Sequence, residues 1–71
     1  MDKRHVDTRG LLCPEPMLMV KREIEAMDSG VIEALADNSA ARENIKRLAL
    51  SKGWKVEIRS QEGDYLLTLS K

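Results

Sequence analysis

Cys13 is the one cysteine in this chain of 71 residues, and His5 is its one histidine. A lone cysteine cannot form an internal disulfide, so stability must come from packing or association. One cysteine and one histidine do not make a closed structural zinc site, which takes four ligands, and no metal is expected. A cysteine hydrolase needs a histidine base and an orienting group. His5 lies on the strand face opposite Val6 and reads as a surface residue. The lack of a second cysteine to resolve a disulfide excludes thioredoxin-like cycling. No Gly-rich phosphate loop or dinucleotide fingerprint is present, and no cofactor is expected.

Phenylalanine is absent and Trp54 and Tyr65 are the only aromatics, so aliphatic side chains must fill the core. There is no excess of either charge, with 12 basic and 12 acidic residues, which argues against stable direct nucleic-acid binding. No apolar run approaches about 18 residues, so no membrane-spanning helix is expected. Met1-Asp2-Lys3-Arg4-His5 leads into a polar strand and not an apolar signal core. Together with a free cysteine, this points to the reducing cytoplasm.

What remains is the composition of a small globular domain, 42% apolar and 34% charged. The length allows one domain over residues 1–71, burying about 60% of its unfolded surface. Its charge is uneven. Arg42, Lys46, Arg47, Lys52, Lys55 and Arg59 face only Glu43 and Glu57 in the same stretch. The run reads as a solvated helix face plus a strand's outer face, or as a docking surface for an acidic partner.

The pattern along the chain is β-α-β-α-β-β. His5 to Thr8 reads as a short strand with Val6 and Thr8 on one face. Arg9 to Leu12 is the connection, with Gly10 supplying a tight turn. Met17, Val20, Ile24 and Met27 make a helical apolar stripe, widened by Leu18, with Gly30 as the expected left-handed stop. Val31 to Ala36 is an interior strand interrupted only by Glu33. Asp37-Asn38-Ser39 is a capping cluster. Ala41, Ile45, Leu48 and Ala49 give the second helix its buried stripe, Glu43 can pair with Lys46 and Arg47, and Gly53 closes the helix. Trp54, Val56 and Ile58 alternate with Lys55, Glu57 and Arg59, the pattern of a strand with one buried and one wet face. A turn at Ser60 to Asp64 then leads to Tyr65, Leu67 and Leu69. Such a chain is best buried with both helices on one side of a mixed four-stranded sheet, an α+β two-layer sandwich. The other sheet face stays open to water, partners or a second copy, as a monomer or weak dimer.

The candidate reactive group is Cys13, in Cys13-Pro14-Glu15-Pro16. Prolines are tolerated in a first helical turn, and Glu15 suits the helix dipole there, so Cys13 is expected at a helix N-terminus. That position favours the thiolate, and the amides of Glu15 and Met17 are the donors that the two prolines leave. Arg9 is expected to add positive charge. A lone cysteine in an arbitrary chain is most often a buried, inert hydrophobe. Prolines that stiffen the backbone around it argue for a presented sulfur that attacks and is attacked, as in persulfide relay.

The run Asp7-x-Arg9-Gly10-Leu11-x-Cys13-Pro14-x-Pro16, followed by Lys21, resembles the signature of the TusA-like (SirA-like) sulfurtransferases. The second helix resembles the YedF-like branch, linked to selenium metabolism. The resemblance implies a fold similar to the C-terminal domain of translation initiation factor three. It implies that Cys13 takes persulfide sulfur from a cysteine desulfurase-like, rhodanese-like or DsrE-like protein and relays it to an acceptor. Routes it offers include tRNA thiolation, molybdenum-cofactor sulfuration, sulfur oxidation and selenium handling. Arg9, Gly10, Pro14, Glu15, Pro16 and Lys21 would support Cys13, with Asp7 orienting Arg9. Two other readings stay open. One is a non-catalytic binding or regulatory module, with Cys13 a turn residue. The other is a thiol redox sensor.

Overall fold

A computed structural model describes residues 3–12 and 15–71. The elements run β1 (Lys3–Asp7), α1 (Glu15–Ala26), β2 (Val31–Ala36), α2 (Ser39–Ser51), β3 (Lys55–Gln61) and β4 (Asp64–Ser70). The sheet order is β1-β2-β4-β3, with β1 parallel to β2 and both β2 and β3 antiparallel to β4. This is the expected mixed sheet in an α+β fold.

Residue parity explains the layers. Ile32, Ala34 and Ala36 of β2 pair with Leu69, Leu67 and Tyr65 of β4. Together with Val6 of β1 they face the helices. Val20, Ile24 and Met27 of the first helical segment and Ala41, Ile45 and Ala49 of α2 close the core from the other side. The small alanines on both layers allow close helix-to-sheet approach, as a core without phenylalanine requires.

The apolar stripe of α1 begins at Pro16, which is buried, and continues through Val20 and Ile24. Leu18, expected to widen it, is 37% exposed. The helix stops at Ala26, short of the expected glycine. The Met27 N–H reaches the Ile24 carbonyl in a tightened last turn (3.3 Å). Gly30 instead lies just before β2, exchanging backbone hydrogen bonds with Lys71 (3.2 and 3.1 Å). Gly53 does close α2 as expected. Its N–H donates to Leu50 O (3.1 Å) and that of Trp54 to Ala49 O (2.9 Å), a Schellman closure.

Glu33 interrupts β2 because it faces the open side, where it takes Lys3 Nζ (3.3 Å) and His5 Nδ1 (3.2 Å). His5 is exposed, as expected. β3 departs from its alternating pattern. Trp54 just before it is buried, Val56 is half-buried, and Ile58 is 36% exposed. β3 is an edge strand, so its helix-side residues have a strand neighbour on one side only. The basic run does not form one surface. Arg42, Lys46 and Arg47 lie on α2, whereas Lys55 and Arg59 share the open sheet face with Ser70 and Leu66. Glu43 reaches Arg42 Nη2 (3.1 Å) in place of the expected Lys46 and Arg47. Arg42 also lies over the Tyr65 ring, 4.8 Å from its centroid. No helix among the described residues is long and apolar enough to cross a membrane.

Candidate functional site

Two connections leave the sheet side by side, because β1 and β2 are parallel neighbours. One is the turn from β1 into α1, and the other is the junction from β2 into α2. The expectations for Cys13 and Pro14 fall on residues outside those described. The turn that leads to them is described in full.

It begins at Thr8, the buried polar residue just past β1. The Thr8 N–H donates to Leu35 O (2.9 Å), and its hydroxyl donates to the same carbonyl. Both donors of a residue with no room for water are thereby satisfied. Arg9 follows. Its Nε and Nη2 donate to the two oxygens of Asp7 (3.0 and 2.9 Å), a bidentate fork, and its Nη1 reaches Asp64 Oδ2 at the start of β4 (3.3 Å). The Arg9 backbone N–H also donates to Asp7 Oδ1 (3.0 Å).

Gly10 adopts φ +80°, the left-handed region where a side chain is strained even though a Cβ there would meet nothing within 4 Å. Its N–H donates to Asp37 Oδ2 (2.8 Å). The other oxygen of Asp37 accepts from Asn38 Nδ2 (2.9 Å). Asn38 is itself the N-cap of α2, with its Oδ1 accepting from the Ala41 N–H (2.8 Å). The Leu11 N–H then returns to Thr8 O (3.3 Å), and the Glu15 N–H reaches Leu12 O (2.9 Å).

These contacts set the electrostatics. The side-chain hydrogen bond from Arg9, helped by the Arg9 backbone N–H, draws the Asp7 carboxyl down to about 2. Asp7 and then Asp64 push the Arg9 guanidinium above its already high value. The Gly10 N–H, followed by the Asn38 amide, holds Asp37 below the ordinary carboxylate range. Arg9 therefore brings positive charge to the turn, but Asp7 and Asp64 already compensate it, and Asp37 adds a third carboxylate.

Arg9 and Gly10 come together with Asp7, Asp37 and Asp64. Glu15 is the exposed first residue of α1 and Pro16 is buried behind it. Lys21 is half-buried about 9 Å along the α1 axis from Glu15, at 1.5 Å per residue. Leu12, which adjoins Cys13 in the chain, is 83% exposed. A groove opens between the helices one turn into α1, lined by Met17, Asn44, Arg47, Leu48 and Ser51. No group of three or more His, Cys, Asp or Glu able to hold a metal ion occurs among the described residues. Reasoning from sequence placed Asp37 in a capping cluster and Asp64 in a hairpin turn. Neither position carries a local signal for its contact with the Cys13 turn, because the partners are 27 and 55 residues away.

The family model for the sulfurtransferase TusA matches residues 4–71. A protein of Methanocaldococcus jannaschii, provisionally named a sulfur carrier, is 31% identical over 70 residues, covering 96% of this chain and 93% of the relative. A similarly named Bacillus subtilis protein is 29% identical over 62 residues, covering 86% and 83%. Among solved structures, a SirA-like protein of Desulfitobacterium hafniense superposes with a TM-score of 0.88 at 26% identity, covering 94% of this chain and 95% of that one.

Proposed function

The chain belongs to the TusA sulfurtransferase family, and from that premise we propose that it carries sulfur as a persulfide on Cys13. The observation that supports this most directly is the turn into the Cys13 segment. Four side chains from outside it or at its edges (Asp7, Thr8, Asp37 and Asp64) hold a loop that packing alone has no reason to fix so firmly.

The Cys13 thiolate attacks the outer sulfur of a donor persulfide. A bond forms between Cys13 Sγ and that sulfur, the donor's own S–S bond breaks, and the donor leaves as a thiolate. The proton stays on the transferred sulfur, and no net oxidation or reduction occurs. The reverse sequence, with an acceptor thiolate attacking the outer sulfur on Cys13, discharges the carrier. Such chemistry needs an ionised, accessible thiol in a reducing compartment and no separate base.

Donors of the cysteine desulfurase-like, rhodanese-like or DsrE-like kinds fit this step, with a second sulfur-transfer protein as acceptor. Arg9, Gly10, Glu15, Pro16 and Lys21 support the thiol through the backbone of the turn and the first turns of α1. Incubation with a cysteine desulfurase and L-cysteine should raise the intact mass by one sulfur atom, and Cys13→Ser should abolish the gain. No gain with any of the three donor kinds would sink the proposal. Trapping mixed disulfides of Cys13 in cells would then sort tRNA thiolation from selenium handling and the other routes.

A further inference from the structure

The α2 junction carries a carboxylate that does not cap its own helix. Asn38 caps α2, so Asp37 is left over from capping. Its carboxylate crosses to the neighbouring connection and accepts the Gly10 N–H at 2.8 Å, a charge-assisted bond between residues 27 apart in the chain. Its orientation is set from behind, since Asn38 Nδ2 holds the second oxygen at 2.9 Å. Gly10 in turn sits at φ +80°, which glycine adopts without strain and a residue with a side chain would not. A connected path therefore runs from the N-terminus of α2 through Asn38 and Asp37 to the turn that begins three residues before Cys13.

We propose that Asp37 is a positioning residue for sulfur transfer at Cys13, fixing through the Gly10 N–H the turn that leads to it. The proposal rests on the persulfide reading for its consequence in transfer, but not for its effect on the thiol. Asp37 remains ionised throughout the neutral range, since both of its partners favour the anion. The other charged groups on the turn are Asp7, Arg9 and Asp64, and Asp7 and Asp64 already neutralise Arg9. Through the Gly10 N–H, Asp37 ties the turn that leads into Cys13 to the head of α2.

Two variants test the bond. Asp37→Asn keeps an oxygen that can accept from Gly10 and removes the charge. Asp37→Ala removes both. Three measurements suffice: the rate of Cys13 alkylation by iodoacetamide across pH, the rate of sulfur loading from a cysteine desulfurase, and the melting temperature. In Asp37→Asn, which keeps the acceptor, alkylation should stay close to the wild type, whereas in Asp37→Ala its rate should change. In Asp37→Ala loading should fall about ten- to a hundredfold, the scale expected when a reacting group is misplaced, and Asn should recover most of it. Alkylation profiles that superimpose on the wild type in both variants overturn the proposal, whatever happens to melting. If Asp37→Ala fails to fold, Asp37→Glu, which keeps the charge but moves the acceptor, takes its place, with an altered alkylation rate in favour and an unaltered one against. A wild-type chain that no donor loads defeats the persulfide reading only, because the alkylation profiles still report whether Asp37 governs the thiol.

Discussion

The two connections at the carboxyl ends of β1 and β2 solve the same problem, turning from a strand into a helix, in different ways. The β2-to-α2 junction is local. Ala36 is the last strand residue, and Asn38 caps the helix by accepting an N–H three residues ahead. The β1-to-α1 turn is longer and borrows its order from elsewhere. Leu35 O takes both donors of Thr8, Asp37 takes Gly10, and Asp64 takes Arg9. Where a helix only has to start, three residues suffice. Where the chain leads into Cys13, side chains from β4 and the α2 junction are recruited, so that turn depends on the whole fold being in place.

The substitution expected to erase the distinction altogether is Ile45→Ala. Ile45 is fully buried and anchors α2, on which both connections rely. Its loss should cost about 2–5 kcal/mol, a large share of the roughly 4–11 kcal/mol expected for a chain of this size, read as a lower urea midpoint. A cost under about 1 kcal/mol would show that α2 is held some other way.

Gly10→Ala tests the borrowed turn directly. No atom obstructs the added Cβ, so the cost is conformational, about 1–2 kcal/mol, and should come with an altered rate of Cys13 alkylation. Destabilisation with an unchanged alkylation rate would separate the turn from the thiol. Asn38→Ala tests the local junction. It should cost about 1 kcal/mol in stability while disturbing alkylation less than Gly10→Ala does. The reverse order would mean that Asn38 matters more as the support of Asp37 than as a cap.

The smallest effect is expected in acid. Asp7 has its folded-state value lowered to about 2, so its pairing with Arg9 contributes fully above the ordinary carboxylate range, near pH 4. That contribution disappears as pH falls from about 4 towards 2. Both groups are exposed, so the step should be shallow and weakened by added salt. Asp7→Asn should lack it. A step of equal size in that variant would assign the acid sensitivity to another carboxylate.

Elements with a strong period were legible before any coordinates. Ala41, Ile45 and Ala49 mark the inner face of α2 by spacing alone, and Asn38 and Gly53 mark its ends. The errors have physical causes. Ile58 has the right alternation for a buried position, but alternation does not say that β3 is an edge. Leu18 is apolar without being inside, because Pro16 takes the inward position that sequence spacing assigned to Met17 and Leu18. The basic run from Arg42 to Arg59, by contrast, divides into a helix face and a strand's outer face, as the first of its two readings had it. At the candidate site, the sequence and its family resemblance pointed to Gly10 and to Arg9 with Asp7 orienting it, but not to Asp37 and Asp64, which also hold them.

By itself the sequence determined the element order, the inner face and the ends of α2, and the presence of a single thiol beside two prolines, because these follow from local spacing and backbone chemistry. Tertiary structure alone decided that Asp37 and Asp64 close on the turn before that sulfur. A hydrogen bond spanning 27 residues exists only when parallel pairing of β1 with β2 brings two strand ends side by side, and one spanning 55 only when β4 enters the same sheet.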